Sequence, residues 1–162
     1  MHAILTGSHK HQLNARVDSS GTVHAALWLD IDVGAAPPPD DQSLAELLRA
    51  GLGEENANRF LIIDSLFNAN HPGHESHAYL PFMGVTASAQ CRGIGTALLT
   101  LHLNGLDAAG RPAYLEASSR RNVALYTRLG FAPIGEPLPL PGGPSFFPMW
   151  RPPQGDPATR TT

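Results

Sequence analysis

The chain has 162 residues and a formal net charge of −3, and 42% of its residues are hydrophobic while 15% are charged. These values are typical of one globular domain, which we expect at residues 1–151, ahead of a disordered tail at 152–162. The small negative charge gives no reason to expect a nucleic acid or an anionic membrane as a partner. The single cysteine excludes an intramolecular disulfide, and the sequence has no recognisable signal peptide or bilayer-spanning run. We therefore expect a cytoplasmic protein.

The first predicted element is an antiparallel hairpin. Its two β-type runs, Gln12 to Val17 and Thr22 to Ile31, flank a polar turn at residues 18–21. Trp28, in the apolar centre of the second run, is predicted as a core residue, and a substrate-facing role is the less favoured alternative. The proline-rich segment 34–39 cannot continue a strand and is predicted as a surface loop.

Two helices are predicted next. Apolar residues at helical spacing place the first from about residue 41 and the second over about 54 to 68. The glycines at 51 and 53 are expected to break the first helix, and Pro72 prevents the second from continuing.

Three histidines, His71, His74 and His77, recur every three residues after the second helix. Pro72 interrupts this segment, so the three do not share one helical face, and Glu75 is the only carboxylate beside them. We predict no metal, although a protein that binds zinc through these histidines stays open as an alternative. His77 directly precedes a predicted strand, where it could face a pocket and carry a proton near neutral pH. A packed or capped histidine at a strand start explains it slightly better.

The central feature is a strand, a glycine-containing turn and a helix. Residues 78–85 are predicted as a buried strand, and a helix is predicted from Gly93 to about residue 109. The first N–H groups of a helix lack helical partners, glycines allow close approach of an anion, and Arg92 adds a charge that suits phosphate. We therefore predict a phosphate-binding loop, made of Gln90, Cys91, Arg92, Gly93, Ile94, Gly95 and Thr96. A dinucleotide loop would require glycine at 98, where leucine stands, and the lysine of a Walker loop is absent.

The second half continues the alternation of strands and helices. A strand over 113–118 is expected to pair in parallel with the strand at 78–85 through a right-handed crossover. A helix is predicted over 122–129 with Gly130 as its C-cap, followed by strands at 131–136 and 145–151.

Four segments in this order resemble the GNAT family of N-acetyltransferases. They are the strand 79–85, the Gln-x-x-Gly-x-Gly loop, the strand 114–118 and the pattern Asn122-x-x-x-Tyr126-x-x-x-Gly130-Phe131. The phrases Tyr-Leu-Glu-Ala-Ser, Leu-Tyr-x-x-Leu-Gly-Phe and Met-Trp-Arg resemble the subgroup of puromycin N-acetyltransferase-like proteins. The resemblance implies an α/β fold, with a mixed central sheet that the cofactor splits and helices on both faces. The strand and helices with which the family usually opens are expected to be missing here.

The resemblance also implies a site for acetyl-CoA as co-substrate. The residues it assigns to this site are Met83, Gly84, Val85, Gln90, Cys91, Arg92, Gly93, Ile94, Gly95, Thr96, Asn122 and Tyr126. It implies that a backbone N–H near Gly84 or Val85 stabilises the oxyanion, and that Asn122 bonds the pantetheine arm. Since it implies direct transfer without an acyl-enzyme, Cys91 is expected to be a spectator.

Three residues are candidates for proton transfer. The amine must lose a proton before it attacks the thioester. Glu116 is the first candidate base because a glutamate in an apolar strand requires an explanation, although an ion-paired or edge-exposed glutamate explains it equally well. His77 is the second candidate, and Tyr126 stands at the family's general-acid position.

The expected function is acetyl-CoA-dependent N-acetylation of a primary amine of a small molecule, without metal. A catalytically silent acyl-CoA-binding module is the alternative. The expected partners are the amine acceptor and a second copy of the chain in a homodimer, with no nucleic acid or membrane.

Overall fold

The computed structural model describes residues 11–17, 21–34 and 42–155. The predicted turn at 18–20, most of the proline-rich loop and the tail beyond residue 155 lie outside these ranges. The elements are β1 (His11–Val17), β2 (Val23–Ile31), α1 (Gln42–Leu52), α2 (Glu54–Asn70), β3 (His77–Gly84), a 3-10 turn (Ala87–Ala89), α3 (Ile94–Ala108), β4 (Ala113–Ala117), α4 (Arg120–Arg128), β5 (Ala132–Pro133), β6 (Leu138–Pro139) and β7 (Ser145–Arg151). Among the described residues, no helix is long and apolar enough to cross a membrane.

The strands form a mixed sheet in the order β1-β2-β3-β4-β7-β5, with β6 paired to β7. The predicted hairpin is confirmed, since β1 and β2 pair from His11↔Leu29 to Val17↔Val23. The predicted crossover is also confirmed, because β3 and β4 pair in parallel while the other neighbours are antiparallel.

Helices pack on both faces of this sheet. On one face, Leu99 and Leu103 of α3 and Tyr126 of α4 join the core with Leu80 of β3 and Leu115 of β4. Trp28 belongs to this core and is 1% exposed, as predicted. The opposite face carries α2, as the aromatic contacts described below show. The predicted mixed α/β sheet with helices on both faces is confirmed.

A β-bulge in β3 changes which residues face which helices. Leu27 pairs with Phe82 and Leu29 pairs with Tyr79, so β3 uses one more residue than β2 between these two pairs. The extra residue shifts the in-and-out alternation of a strand by one. Met83 therefore packs against the α3 and α4 core, while Tyr79 and Phe82 face α2.

Strands β3 and β4 part soon after they meet. Their register consists of two pairs, Ala78↔Ala113 and Tyr79↔Tyr114. Beyond these pairs β3 continues beside β2, and β4 continues beside β7 as far as Ala117. The separation of the two strands beyond Tyr79 and Tyr114 is called the opening, and Glu116 lies in the part of β4 that no longer pairs with β3.

Several predicted boundaries differ from the structure. Helix α1 continues through Gly51, and the break falls at Gly53, whose φ is 76°. Helix α4 begins at Arg120, two residues earlier than predicted, because the Ser119 hydroxyl caps it. The predicted strand at 131–136 is reduced to Ala132–Pro133, while the predicted loop at 137–144 contributes β6.

A buried ion pair joins three elements on the α3 and α4 side. Arg151 of β7 is 4% exposed, and its terminal nitrogens donate to both carboxylate oxygens of Asp107 in α3, at 2.6 and 2.7 Å. Its Nε donates to the carbonyl of Leu129 at 2.7 Å, and the backbone N–H of Gln154 donates to Asp107. The Arg151 hydrogen bonds lower the pKa of Asp107, against the opposing effect of burial.

We expect Asp107→Asn to lower the free energy of unfolding at about pH 7 by about 3 kcal/mol, because it leaves the buried Arg151 charge without its counter-ion. A lowered pKa stabilises the fold above the unfolded-state value and loses that effect as pH falls through the folded-state value. The difference between variant and wild type should therefore shrink as pH falls below about 4. Urea unfolding at about pH 7 and below about pH 4 measures this difference in the free energy of unfolding. Glu55→Gln, which removes an exposed partner of Arg59 at 4.0 Å, is the control and should change little.

Candidate active site

The predicted phosphate-binding loop connects the end of β3 to the start of α3. Gly93 has a left-handed φ of 77° and precedes Ile94, the first residue of α3. The first helical bond is donated by Ala97 to the Gly93 carbonyl at 2.9 Å, so the N–H groups of residues 94–96 precede the helical ladder. A Cβ placed on Gly93 would meet no atom of the described residues within 4 Å, apart from its own neighbours in the chain. The loop thus presents open backbone at a helix N-terminus, an arrangement that binds anions.

Gly95 has a different function from Gly93. A Cβ on Gly95 would lie 2.5 Å from Cε of Met83 and 3.8 Å from Cγ2 of Val85. This glycine lets the first turn of α3 pack directly on the end of β3. The two glycines of the motif therefore serve separate purposes, since one leaves room for a ligand and the other permits close packing.

Arginine side chains supply positive charge at the loop. Arg92 is an exposed loop residue, and Arg121 of α4 donates to the exposed sulfur of Cys91 at 2.8 Å. Cys91 is the only non-glycine residue with positive φ, 62°, in the described part of the chain. The sequence analysis missed Arg121, because a contact across 30 residues leaves no local pattern.

Asn122 is fixed at the junction of β4 and α4. Its backbone N–H donates to the Ser119 hydroxyl at 3.2 Å, and its side-chain amide donates to the Ser118 hydroxyl at 3.0 Å. These bonds hold the side chain where β4 ends. Its predicted contact with the pantetheine arm stays a prediction.

Tyr126 lies on the α3 and α4 side of the opening. It is 8% exposed, and its hydroxyl is 4.0 Å from the sulfur of Met83, near the end of β3. Burial raises the pKa of this hydroxyl above its ordinary value. The group is therefore protonated at neutral pH and available as a proton donor.

Glu116 lies on the other face of the sheet. Side chains alternate along β4, so Glu116 and Tyr114 point away from the face on which Leu115 packs. The Oε1 atom of Glu116 and the hydroxyl of Tyr114 are buried without a hydrogen-bond partner among the described residues. Burial raises the pKa of Glu116, and the neighbouring hydroxyls of Tyr114 and Tyr79 lower it by a smaller amount. Glu116 and Tyr126 thus stand on opposite faces of the sheet.

His77 is packed among other aromatic rings. It is 0% exposed, its Nδ1 is 2.7 Å from the Glu75 carbonyl, and its Nε2 is 3.0 Å from Nε2 of His71. Burial lowers the pKa of both histidines, that of His71 to about 4, so both rings are neutral at pH 7. The ring of Trp150 lies against His77, with centroids 5.1 Å apart. These are the contacts of a packed histidine, and its role as a second base stays a prediction.

The described histidines His71, His74 and His77 do not form a group that could hold a metal ion. Across residues 11–17, 21–34 and 42–155, no three or more His, Cys, Asp or Glu side chains are grouped so that they could hold a metal ion. His74 is exposed, and its ring lies 5.1 Å from that of Trp150.

Comparison with known proteins identifies the family. The mycothiol acetyltransferase of Streptomyces avermitilis is 43% identical over 123 residues, which make up 66% of this chain and 39% of that protein. This chain therefore spans about two fifths of that relative's length. The crystal structure of histone acetyltransferase HPA2 and related acetyltransferase from Corynebacterium glutamicum superposes with a TM-score of 0.58 and 31% identity. That superposition covers 91% of this chain and 67% of the other.

The chain belongs to the GNAT family of acetyltransferases. A Bacillus cereus acetyltransferase, 14% identical, has a TM-score of 0.54 over 92% of this chain and 80% of its own, which supports the fold alone. No family model matches the sequence. The expected GNAT fold is confirmed.

We expect Glu116→Gln to raise the free energy of unfolding at neutral pH. A pKa that the fold raises contributes stability below the unfolded-state value and loses it as pH increases through the folded-state value. The gain from the uncharged glutamine should therefore be larger at about pH 8 than at about pH 4, near the ordinary pKa of glutamate. Urea unfolding at about pH 8 and about pH 4 measures this gain in the free energy of unfolding. An equal difference at both would contradict the environment described for Glu116, and Glu136→Gln, at an exposed position, is the control.

Proposed function

We propose that the chain transfers an acetyl group from acetyl-CoA directly to a primary amine of a small molecule. The observation that carries this proposal is the opening between β3 and β4. Glu116 borders it from one face of the sheet, Tyr126 lies on the other face, and the anion-binding loop follows the end of β3. The relatives' names mention mycothiol and histones, which are chemically unlike, so the acceptor must be inferred from this chain's own residues.

The described residues fit the pyrophosphate of acetyl-CoA. The N–H groups of the first turn of α3, the open space over Gly93 and the charges of Arg92 and Arg121 favour a doubly charged anion. The separated edges of β3 and β4 carry peptide groups that are free to bond the pantetheine amides, as an added strand would. In this proposal Met83, Gly84 and Val85 lie along the arm, and a backbone N–H near Gly84 or Val85 stabilises the oxyanion.

Glu116 acts as the general base in this proposal. An alkylamine enters protonated at pH 7 and must lose that proton before its nitrogen attacks the thioester carbonyl. Burial raises the pKa of Glu116 and so makes its carboxylate a stronger base than an exposed one. The unpaired Oε1 atom has unused hydrogen-bonding capacity for the incoming ammonium.

Tyr126 acts as the general acid. As the new C–N bond forms and the C–S bond breaks, the leaving sulfur takes the electron pair of the C–S bond and requires a proton. The Tyr126 hydroxyl keeps its proton at neutral pH and lies beside Met83 at the end of β3. The attacking nitrogen gives up its second proton, which restores the Tyr126 hydroxyl through solvent, and the proton taken by Glu116 also returns to solvent. The products are therefore the acetylated amine, CoA and one proton. We also propose the narrower kinship with puromycin N-acetyltransferase-like proteins, which rests on the phrases around Glu116 and Tyr126.

We expect Gly93→Ala to weaken acetyl-CoA binding about tenfold or more, because its Cβ occupies space needed by the anion and strains a left-handed residue. Calorimetric titration measures the Kd. Gly105→Ala is the control, since Gly105 lies at an exposed position of α3, the helix that Gly93 precedes, with no other side chain of the described residues within 4 Å of the added Cβ. That control should keep wild-type affinity and gain stability by about 0.5–1 kcal/mol. Equal Kd values for both variants would rule out residues 90–96 as the binding loop.

We expect Tyr126→Phe to lower kcat about a hundredfold, because the phenylalanine cannot donate a proton, while the KM for acetyl-CoA changes little. Thiol release with a panel of primary amines measures both constants. Thr127→Ala, which removes a neighbouring exposed hydroxyl from α4, should keep wild-type kcat. Acetyl-CoA binding without turnover of any amine would contradict the proposed enzyme and would favour a silent acyl-CoA-binding module.

A further inference from the structure

Helix α2 crosses the opening on the Glu116 face of the sheet. Phe60 stacks on Phe82 of β3, with ring centroids 6.1 Å apart. Two turns later, Phe67 meets Phe146 of β7 edge-on at 4.9 Å. Since β4 lies between β3 and β7, the helix between these two contacts spans the separation of β3 from β4.

Asp64 lies on the same stripe of α2 as the two phenylalanines. It follows Phe60 by four residues and precedes Phe67 by three, which places all three side chains on one face of the helix. That face makes the two ring contacts with the sheet, so Asp64 lies on the sheet-facing side of α2. Burial raises the pKa of Asp64, and a hydrogen bond from Asn68 to its Oδ2 atom, at 3.0 Å, partly opposes this. Apolar packing alone would not require a carboxylate at this position.

Asp64 and Glu116 both affect the pKa of the Tyr79 hydroxyl. Burial is the main cause that raises the pKa of the Tyr79 hydroxyl, and the charges of Glu116 and, to a smaller extent, Asp64 raise it further. Both carboxylates thus influence the pKa of the same hydroxyl. Tyr114, beside Glu116, is 0% exposed and its hydroxyl has no partner among the described residues.

An apolar groove lies beside Phe82 at the Gly84 end of β3. It has a volume of about 580 Å³, and its lining consists of Val23, Ala25 and Leu27 of β2, Phe82 and Gly84 of β3, and Val85 and Thr86 after β3. Phe82 is 53% exposed, although it also stacks on Phe60, one helical turn before Asp64. Phe82 thus belongs both to the lining of the groove and to the contact with α2.

We propose that the acceptor is a primary amine with an apolar body and no acidic group, and that Asp64 binds its ammonium. This proposal rests on the acetyl transfer proposed above. The apolar body lies in the groove against Phe82, and the ammonium lies between Asp64 and Glu116 beneath α2. Asp64 holds the cation, whereas Glu116 takes the proton and releases the free amine for attack. Two carboxylates repel an acceptor that carries its own carboxylate next to the amine.

The test compares matched acceptors on the 162-residue chain. The reference is 2-phenylethylamine. L-Phenylalanine adds a carboxylate to it, ethanolamine lacks the apolar body, and O-benzylhydroxylamine keeps an aromatic body with an amino group that is uncharged at neutral pH. Binding to the CoA-loaded chain is measured by calorimetry and turnover by thiol release. The variants are Asp64→Asn and, as control, Glu55→Gln, which removes an 84% exposed carboxylate from the opposite face of α2.

We expect 2-phenylethylamine to bind and react better than L-phenylalanine or ethanolamine. Asp64→Asn should raise its Kd and KM about tenfold while kcat stays within about twofold, because the variant loses a bond to a charged group but keeps the base. The same variant should leave O-benzylhydroxylamine unaffected, and Glu55→Gln should change nothing. A weaker 2-phenylethylamine complex in the variant, without any turnover, would support the acceptor site and contradict the acetyltransferase proposal.

Other outcomes overturn the inference. Turnover with Asp64→Asn indistinguishable from wild type would exclude Asp64 as the ammonium site and leave the acetyltransferase proposal standing. Equal losses for the charged and uncharged acceptors would show that the substitution acts through structure rather than charge. A preference for L-phenylalanine or ethanolamine would refute the acceptor class. Failure of every amine to bind would overturn the proposed acceptor site.

Discussion

The separation of β3 from β4 is the constraint on which the rest of the site depends. Two strands that pair at only two positions expose peptide groups on both facing edges, and buried peptide groups without partners are unfavourable. A ligand with amide groups along its length can satisfy them. The same separation brings residues on both faces of the sheet to one opening, so Glu116 and Tyr126 are able to serve one reaction from opposite sides.

Close packing connects the anion-binding loop to the opening. Gly95 lets the first turn of α3 approach Met83, and the sulfur of Met83 lies against the Tyr126 hydroxyl. The bulge in β3 makes this possible, since it turns Met83 rather than Phe82 towards α3 and α4. Phe82 therefore faces α2 on the other side of the sheet, where it stacks on Phe60. One inserted residue in β3 therefore positions side chains on both sides of the sheet.

Most elements could be predicted from the sequence because their signals are local. Helical spacing, turn residues and the loop pattern predicted the hairpin, the helices and the parallel pairing of β3 with β4. The bulge was missed even though Pro81 stands in β3, because a proline in a strand is also compatible with an edge or a strand end. The contact of Arg121 with Cys91 and the direction of Asp64 depend on the packing of distant segments, which no periodicity records.

Three carboxylates of this chain show how environment separates structural from functional roles. Asp107 is paired with Arg151 and satisfied by hydrogen bonds, and its pKa is lowered, as expected of a group that stabilises the fold. Glu116 and Asp64 instead have raised pKa values caused by burial, and Glu116 keeps an unpaired oxygen. A buried acid without a counter-ion destabilises the free chain, but a bound ammonium would reverse that effect. In the proposed complex these two carboxylates lie beside the opening, where the positive charge of the acceptor would balance them.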